Sequence, residues 1–138
     1  MSQTAAKARY VAIAAALLFG TAPALSTADV YLIANSALNI SVDDVRSVYT
    51  GDKELVGATK IKPTDNRAAQ SEFLSKVLML NSGRYESLWT MKSFRDGLTQ
   101  PTVKASDEEV IAYVQATAGA IGYVTTAPPS GVVVVKKF

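Results

Sequence analysis

The sequence predicts an α/β fold in which one mixed sheet is covered by helices. Three observations lead there. Stretches of strand and helix character follow one another as β-α-β-α-α-α-β-β, the pattern of a layered α/β domain. The first strand candidate, Asp29 to Ala34, is nearly continuous in apolar residues, which suits a strand covered on both faces. Ser106 to Val124, SDEEVIAYVQATAGAIGYV, holds a helix, its stop and a buried strand in one stretch.

Each element has a local reason. After Asp29–Ala34, Asn35-Ser36 begins a loop. Ser41 is a helix cap, with Asp43 and Asp44 in the first turn, where carboxylates favour the positive end of the helix dipole. Val42, Val45 and Val48/Tyr49 form the apolar stripe, and Gly51 ends it. Gly51-Asp52-Lys53 reads as a turn, or as backbone N–H groups facing a cleft. Thr59 to Pro63 is a weak strand whose pairing Pro63 limits at that end. Thr64, Asp65 and Asn66 are candidate caps for a helix from Arg67 to Leu80, with Ala69, Phe73, Val77 and Leu80 on one face, widened by Leu74 and Leu78.

Asn81-Ser82-Gly83 breaks that helix, and Ser82 caps another through Phe94. Its Tyr85, Leu88, Trp89 and Lys92 lie along one side, with Trp89 a core anchor. Phe94 to Val103 is a connector containing Gly97 and Pro101; its Arg95-Asp96 pair is a solvated ion pair of little energetic weight. Ser106 and Glu109 then form a capping box. Val110, Tyr113, Val114 and Thr117 face a core, and Gly119 supplies the left-handed stop. Ala120–Val124 is a short strand. Gly131–Phe138 is a last strand, expected to be buried through its valines and exposed at its lysines.

Composition narrows function. The 138 residues are 49% apolar and 19% charged, with no Cys and no His. Disulfides, thiol nucleophiles, Cys-zinc sites and Ser-His-Asp triads are therefore excluded, and the commonest general base is missing. No catalytic residue, metal site or cofactor is predicted, and no enzyme. Lys7 and Arg9 precede the apolar run Tyr10–Gly20, too short for the roughly 20 residues that span a bilayer but right for a cleavable leader. Cleavage fits after Ala24 or Ala28. A leader at 1–28 leaves one domain at 29–138, in the periplasm. The leader holds two basic and no acidic residues, so of 14 basic and 12 acidic residues twelve of each remain. A neutral mature chain with no basic run beyond Lys136-Lys137 predicts no nucleic-acid partner.

The order of these parts resembles the second lobe of periplasmic phosphate-binding proteins, the solute receptors of phosphate ABC transporters. The resemblance is carried by VDDVRSVYTG at Val42–Gly51, the strand into Pro63, the helix with Phe73, the Trp89 helix, SDEEVIAYV and GAIGYV at Gly119–Val124. It is also similar to a group of short exported proteins that carry this lobe alone. It implies a single lobe of a periplasmic binding protein-like fold. It further implies an exported solute-binding domain that takes phosphate or another oxyanion weakly, or else a protein-interaction or sensor module that keeps the lobe and has lost the ligand. The implied partners are an oxyanion, a membrane transporter or sensor protein, and a second copy of the chain in a homodimer.

The family's anion loop carries Arg, then Asp-Gly-Ser-Gly-Thr before a helix, where N–H groups and hydroxyls hold phosphate. Here the matching stretch is Pro63-Thr64-Asp65-Asn66-Arg67-Ala68-Ala69. Asp65 matches, two hydroxyls are lost, and Arg67 could supply a charge-assisted contact instead; equally, Asp65 could cap the helix and Arg67 be solvated. Ligands in open α/β sheets bind at strand ends. The candidate site is therefore Asp65, Asn66 and Arg67 with Thr50, Gly51 and Ser36. Gly122-Tyr123 serves packing through a close backbone approach, or lines the same cleft.

Overall fold

The apolar run after Asp29 forms strand β1, Tyr31–Asn35. In this computed structural model residues 28–138 are described; the expected leader, apart from Ala28, lies outside them. Helix α1, Val42–Tyr49, follows. A small hairpin comes next, β2 (Leu55–Val56) with β3 (Thr59–Lys60), and then β4, Lys62–Asn66. Helix α2, Gln70–Phe73, runs into a π-turn at Leu74–Leu78. Helix α3 is Ser82–Asp96, β5 Thr102–Lys104, α4 Asp107–Ala116, β6 Ala120–Val124 and β7 Val132–Lys137. Among the described residues no helix is long and apolar enough to cross a membrane.

The main sheet has the order β5-β4-β6-β1-β7. Strand β4 is parallel to β5 and β6, whereas β1 is antiparallel to β6 and β7. The sheet is mixed, and helices cover both faces. Alternation along the strands sorts the side chains. Leu32, Ala34, Ile121 and Tyr123 join the cluster under α1, α2 and α3, with Val45, Tyr49, Phe73, Val77, Tyr85 and Trp89. Ile33, Ala120 and Val124 face the other way, onto Val110 and Val114 of α4.

Capping follows the sequence where the cap is local. Ser41 Oγ accepts the Asp44 N–H at 3.1 Å, and Ser106 Oγ accepts the Glu109 N–H at 3.3 Å. The Glu109 carboxylate reaches back to the Ala105 N–H at 2.7 Å. The third helix is capped one residue earlier than expected: Asn81 Oδ1 accepts the Arg84 N–H at 2.8 Å, and Ser82 is already helical.

Five expectations are corrected. Thr64, Asp65 and Asn66 do not cap a helix; they are the buried end of β4. Pro63 does not end that strand. It sits opposite Ile121 of β6, while pairing to β5 starts only at Thr64, so its missing N–H is not needed by β5. The helix begins at Gln70, after Ala69 with no side-chain cap, and its π-turn ends at Met79 in the left-handed conformation, φ 57°. Within the expected connector, Thr102–Lys104 pairs with β4. The last strand is not buried through its valines: it is the sheet edge, with Val133 and Val134 40% and 45% exposed. The Arg95–Asp96 ion pair is on the surface, as expected.

Gly122 lies on the α4 face of β6. A Cβ there would meet Val110 Cγ1 at 2.6 Å and Thr64 and Val114 at 3.2 and 3.3 Å. Gly122→Ala should therefore lift α4 from the sheet and destabilise by about 1–3 kcal/mol, the usual cost of overpacking. A lower urea midpoint at unchanged slope is the expected result; an unchanged midpoint would show that α4 gives way without cost.

Candidate functional site

Three of the six predicted site residues, Asp65, Asn66 and Arg67, fall at the carboxyl end of β4. Asp65 is 3% exposed. Its Oδ1 accepts the Tyr123 hydroxyl at 2.6 Å and its Oδ2 the Tyr85 hydroxyl at 2.9 Å. Burial pushes this carboxyl above its ordinary 3.8, against the downward pull of the Tyr123, Tyr85 and Gln70 donors. Burial, and then the neighbouring Asp65 charge, raises both phenols well above their ordinary value. At neutral pH Tyr85 and Tyr123 are protonated, and each donates its hydroxyl proton to Asp65.

Asn66 is fully buried. Its amide donates to Asp107 Oδ1 at 2.7 Å and to the Tyr123 carbonyl at 3.0 Å, and its Oδ1 accepts the Ala68 N–H at 3.1 Å. Asp107 Oδ2 accepts the Thr125 N–H and the hydroxyls of Thr125 and Thr126. Burial works to raise Asp107, but these donors, Asn66 foremost, outweigh it and hold the carboxyl below its ordinary value. Asn66 and Asp107 thus lock β4 to the start of α4 and the end of β6.

The loop amides are also satisfied from within. The Arg67 N–H donates to the Lys104 carbonyl at 2.8 Å and the Ala69 N–H to the Asn66 carbonyl at 3.0 Å. With Ala68 bonded to the Asn66 side chain, no N–H from 67 to 69 is left for a bound anion. The helical turn that follows, α2, is four residues long. Of Asp65, Asn66 and Arg67, only Arg67 offers its side chain to solvent.

The remaining candidates are elsewhere. Thr50 Oγ1 and the Thr50 N–H both donate to the Arg46 carbonyl, and the Gly51 N–H to Val48, so the N–H groups expected at a cleft close the end of α1 instead. Gly51 borders a separate cleft of about 200 Å³ with Lys60 and Pro63, at the start of β4. Ser36 follows the end of β1. That strand is antiparallel to β6, and β6 is parallel to β4, which places Ser36 level with the start of β4. Roughly 17 Å of strand separates that level from Arg67.

Arg67 shares a cleft of about 230 Å³ with Gln70, Tyr85, Glu86, Trp89 and Gln100, floored by Asp65 and closed by Val103. It also borders a wider groove toward Ser71 and Asn81. Gln70, Glu86 and Gln100 were not among the expected site residues. Nothing local marks them; only the return of α3 and β5 alongside β4 brings them together. Among the described residues no group of acidic side chains is placed to hold a metal ion.

No protein-family model matches the chain, and no curated protein matches it. Solved structures do. A protein described as a phosphate ABC transporter substrate-binding protein with bound phosphate, from Clostridium perfringens, is 17% identical with a TM-score of 0.50, over 79% of this chain and 45% of that one. The chain has a periplasmic binding protein-like fold. The same comparison finds an ABC-type phosphate transport receptor from Vibrio cholerae (14% identical, TM-score 0.47, 79% of this chain and 46% of that one). It also finds PstS from Borrelia burgdorferi (21%, 0.40, 70% and 41%). The matches span less than half of each of these chains. The fold expectation is met on the first of the three.

Because the folded-state value of Asp65 is raised, the folded protein holds that proton more tightly than the unfolded chain. The stability this confers is fully present below the unfolded value and is lost as pH rises through the folded one. The stability of the wild type relative to Asp65→Asn should therefore increase as pH is lowered from 7 to 4 in urea titrations. A difference that stays flat, or grows with pH, would contradict the raised value. Tyr123→Phe removes one donor from a buried carboxylate and should cost about 1–3 kcal/mol at pH 7.

Proposed function

We propose that the protein is an exported solute-binding lobe that takes phosphate or another small oxyanion weakly at the carboxyl end of β4 and presents it to a membrane transporter. Residues 1–28 would be the leader, and 29–138 the single domain released into the periplasm. The observation that carries the reading is the position of Arg67. It is an exposed guanidinium just past the carboxyl end of β4, bordering a cleft that also takes in Val103 of β5 and Gln100 before it; open α/β sheets bind ligands at strand ends of this kind. The fold shared with a phosphate-bound substrate-binding protein supports it.

Capture in this reading is electrostatic. Arg67 offers a planar fork of donors to an oxyanion, Gln70 and Gln100 offer amides, and no covalent step is involved. Affinity is low and falls with salt, because the cation is exposed.

A second reading has its own support. Internal satisfaction of the 67–69 amides and of Asp65 leaves no preformed anion cradle, which favours a lobe kept for docking a transporter or sensor protein. Calorimetry at low salt and near pH 7, with phosphate and then sulfate, separates the two. The solute-binding reading expects saturable heat that weakens by at least about fivefold in Arg67→Ala, with the melting temperature unmoved. No heat with either anion in the wild type favours the docking reading.

A further inference from the structure

The cleft beside Arg67 carries a second charge of opposite sign. Arg67 enters from the loop after β4 and Glu86 from α3, and both line the same space. Neither has an ion-pair partner among the described residues, and they do not pair with each other. Two exposed, opposite charges face one cleft without meeting. Gln70 and Gln100 add neutral amides that can donate or accept, and the nearly covered rings of Tyr85 and Trp89 give an apolar floor.

This charge pattern suits a fully ionised phosphate poorly. A dianion drawn to Arg67 would also face the Glu86 carboxylate, with Asp65 beneath it, and like charges in one site disfavour each other. A simple cation meets the converse problem at Arg67. A molecule with an anionic and a cationic end satisfies both walls. The volume, about 230 Å³, is below the roughly 300–1,000 Å³ of sites for drug-sized ligands, which restricts the occupant to a small metabolite.

We infer that this cleft binds a small zwitterion, a free amino acid or ω-amino acid, with its carboxylate on Arg67 and its ammonium toward Glu86. The inference rests on the reading that the Arg67 cleft takes an oxyanion, and names that oxyanion as a carboxylate. It assigns Glu86 as a specificity-determining residue: the group that turns a general anion contact into recognition of a paired charge.

The test is calorimetry on the protein with glycine, L-alanine, L-serine, L-glutamine and 4-aminobutyrate, each against acetate, ethylammonium and inorganic phosphate. At least one zwitterion should bind saturably, and about fivefold or more tighter than acetate or ethylammonium. Glu86→Gln should weaken that zwitterion by about fivefold while leaving acetate unchanged or tighter, and Arg67→Ala should weaken both. Both side chains are exposed, so the melting temperature of each variant should match the wild type. No binding by any zwitterion, or zwitterion binding indifferent to Glu86→Gln, overturns the inference. If acetate or phosphate still binds through Arg67 in that case, the oxyanion reading stands without it; if no anion binds, both fall.

Discussion

A carboxylate buried beneath the sheet end governs the rest of this structure. Removing Asp65 from water is costly unless its lone pairs are satisfied, and two phenols satisfy them, Tyr123 from β6 and Tyr85 from α3. Each phenol is itself held. The Tyr123 ring stacks on Phe73 at 3.8 Å between centroids, with Tyr49 edge-on to both. Tyr49 donates to the Thr64 carbonyl at 2.7 Å, and the Trp89 indole N–H donates to the Tyr49 carbonyl at 3.0 Å. One polar network thus ties α1, α3, β4 and β6 through the centre of the core, and fully satisfied networks of this kind specify a single arrangement. The placement of α3 relative to β4 follows from it, and with it the width of the cleft between Glu86 and Arg67.

The fold was most legible where local chemistry and tertiary packing agree. Ser106 and Glu109 mark the start of α4 by capping. The expected stop at Gly119 is not where the helix ends, since Ala116 is its last residue and Thr117 is already extended. Gly119, left-handed at φ 80°, serves the turn into β6, where a Cβ would meet the Lys60 carbonyl at 2.6 Å. Strand β6 reads as buried because every residue in it is apolar or Gly. The end of β4 was hidden for the opposite reason. Thr, Asp and Asn in succession favour caps and turns when their side chains serve their own backbone. Here, beside the local bond from the Ala68 N–H to Asn66 Oδ1, their side chains reach partners 20 to 58 residues away in sequence, at Tyr85, Thr102, Asp107 and Tyr123. No window around residue 65 contains that information. The π-turn and the three-residue β5 were unreadable too, because neither leaves a periodic signal of its own. The valines of β7 gave a true strand and a false burial: hydrophobicity shows that a segment can pair, not whether a second neighbour exists.

The same division runs through the candidate site. In the sequence Arg67 reads as a charge in a first helical turn, there to meet an oxyanion or simply to be solvated, and it is an exposed residue that borders the cleft. Asp65 and Asn66 were visible as polar residues in a suggestive place, yet their polar atoms are committed to the fold. Ser36, Thr50 and Gly51 were grouped with them by the rule that ligands bind at strand ends. A mixed sheet has two sets of strand ends at each edge, and the antiparallel pairing of β1 with β6 sends Ser36 to the wrong one. Glu86 sits on the exposed side of a helix whose buried side, Tyr85 and Trp89, dominated its reading.

On the proposed zwitterion reading, recognition at this cleft would differ in kind from recognition by a helix-terminal loop. Free backbone N–H groups present fixed, uncharged dipoles, and they hold any oxyanion of the right size. From Arg67 to Ala69 those dipoles are turned inward onto Lys104 and Asn66. Selectivity must then come from side chains and from the sign pattern they make. An exposed guanidinium alone gives little affinity and little discrimination. Opposed to a carboxylate across a small cleft, it gains discrimination without gaining much strength, since the second charge rejects simple anions as firmly as it accepts a paired one. On the proposed reading the closed amide loop and the charges of Arg67 and Glu86 belong together: with the 67–69 amides turned inward around the buried Asp65, the two charges on the rim would be left to choose a ligand.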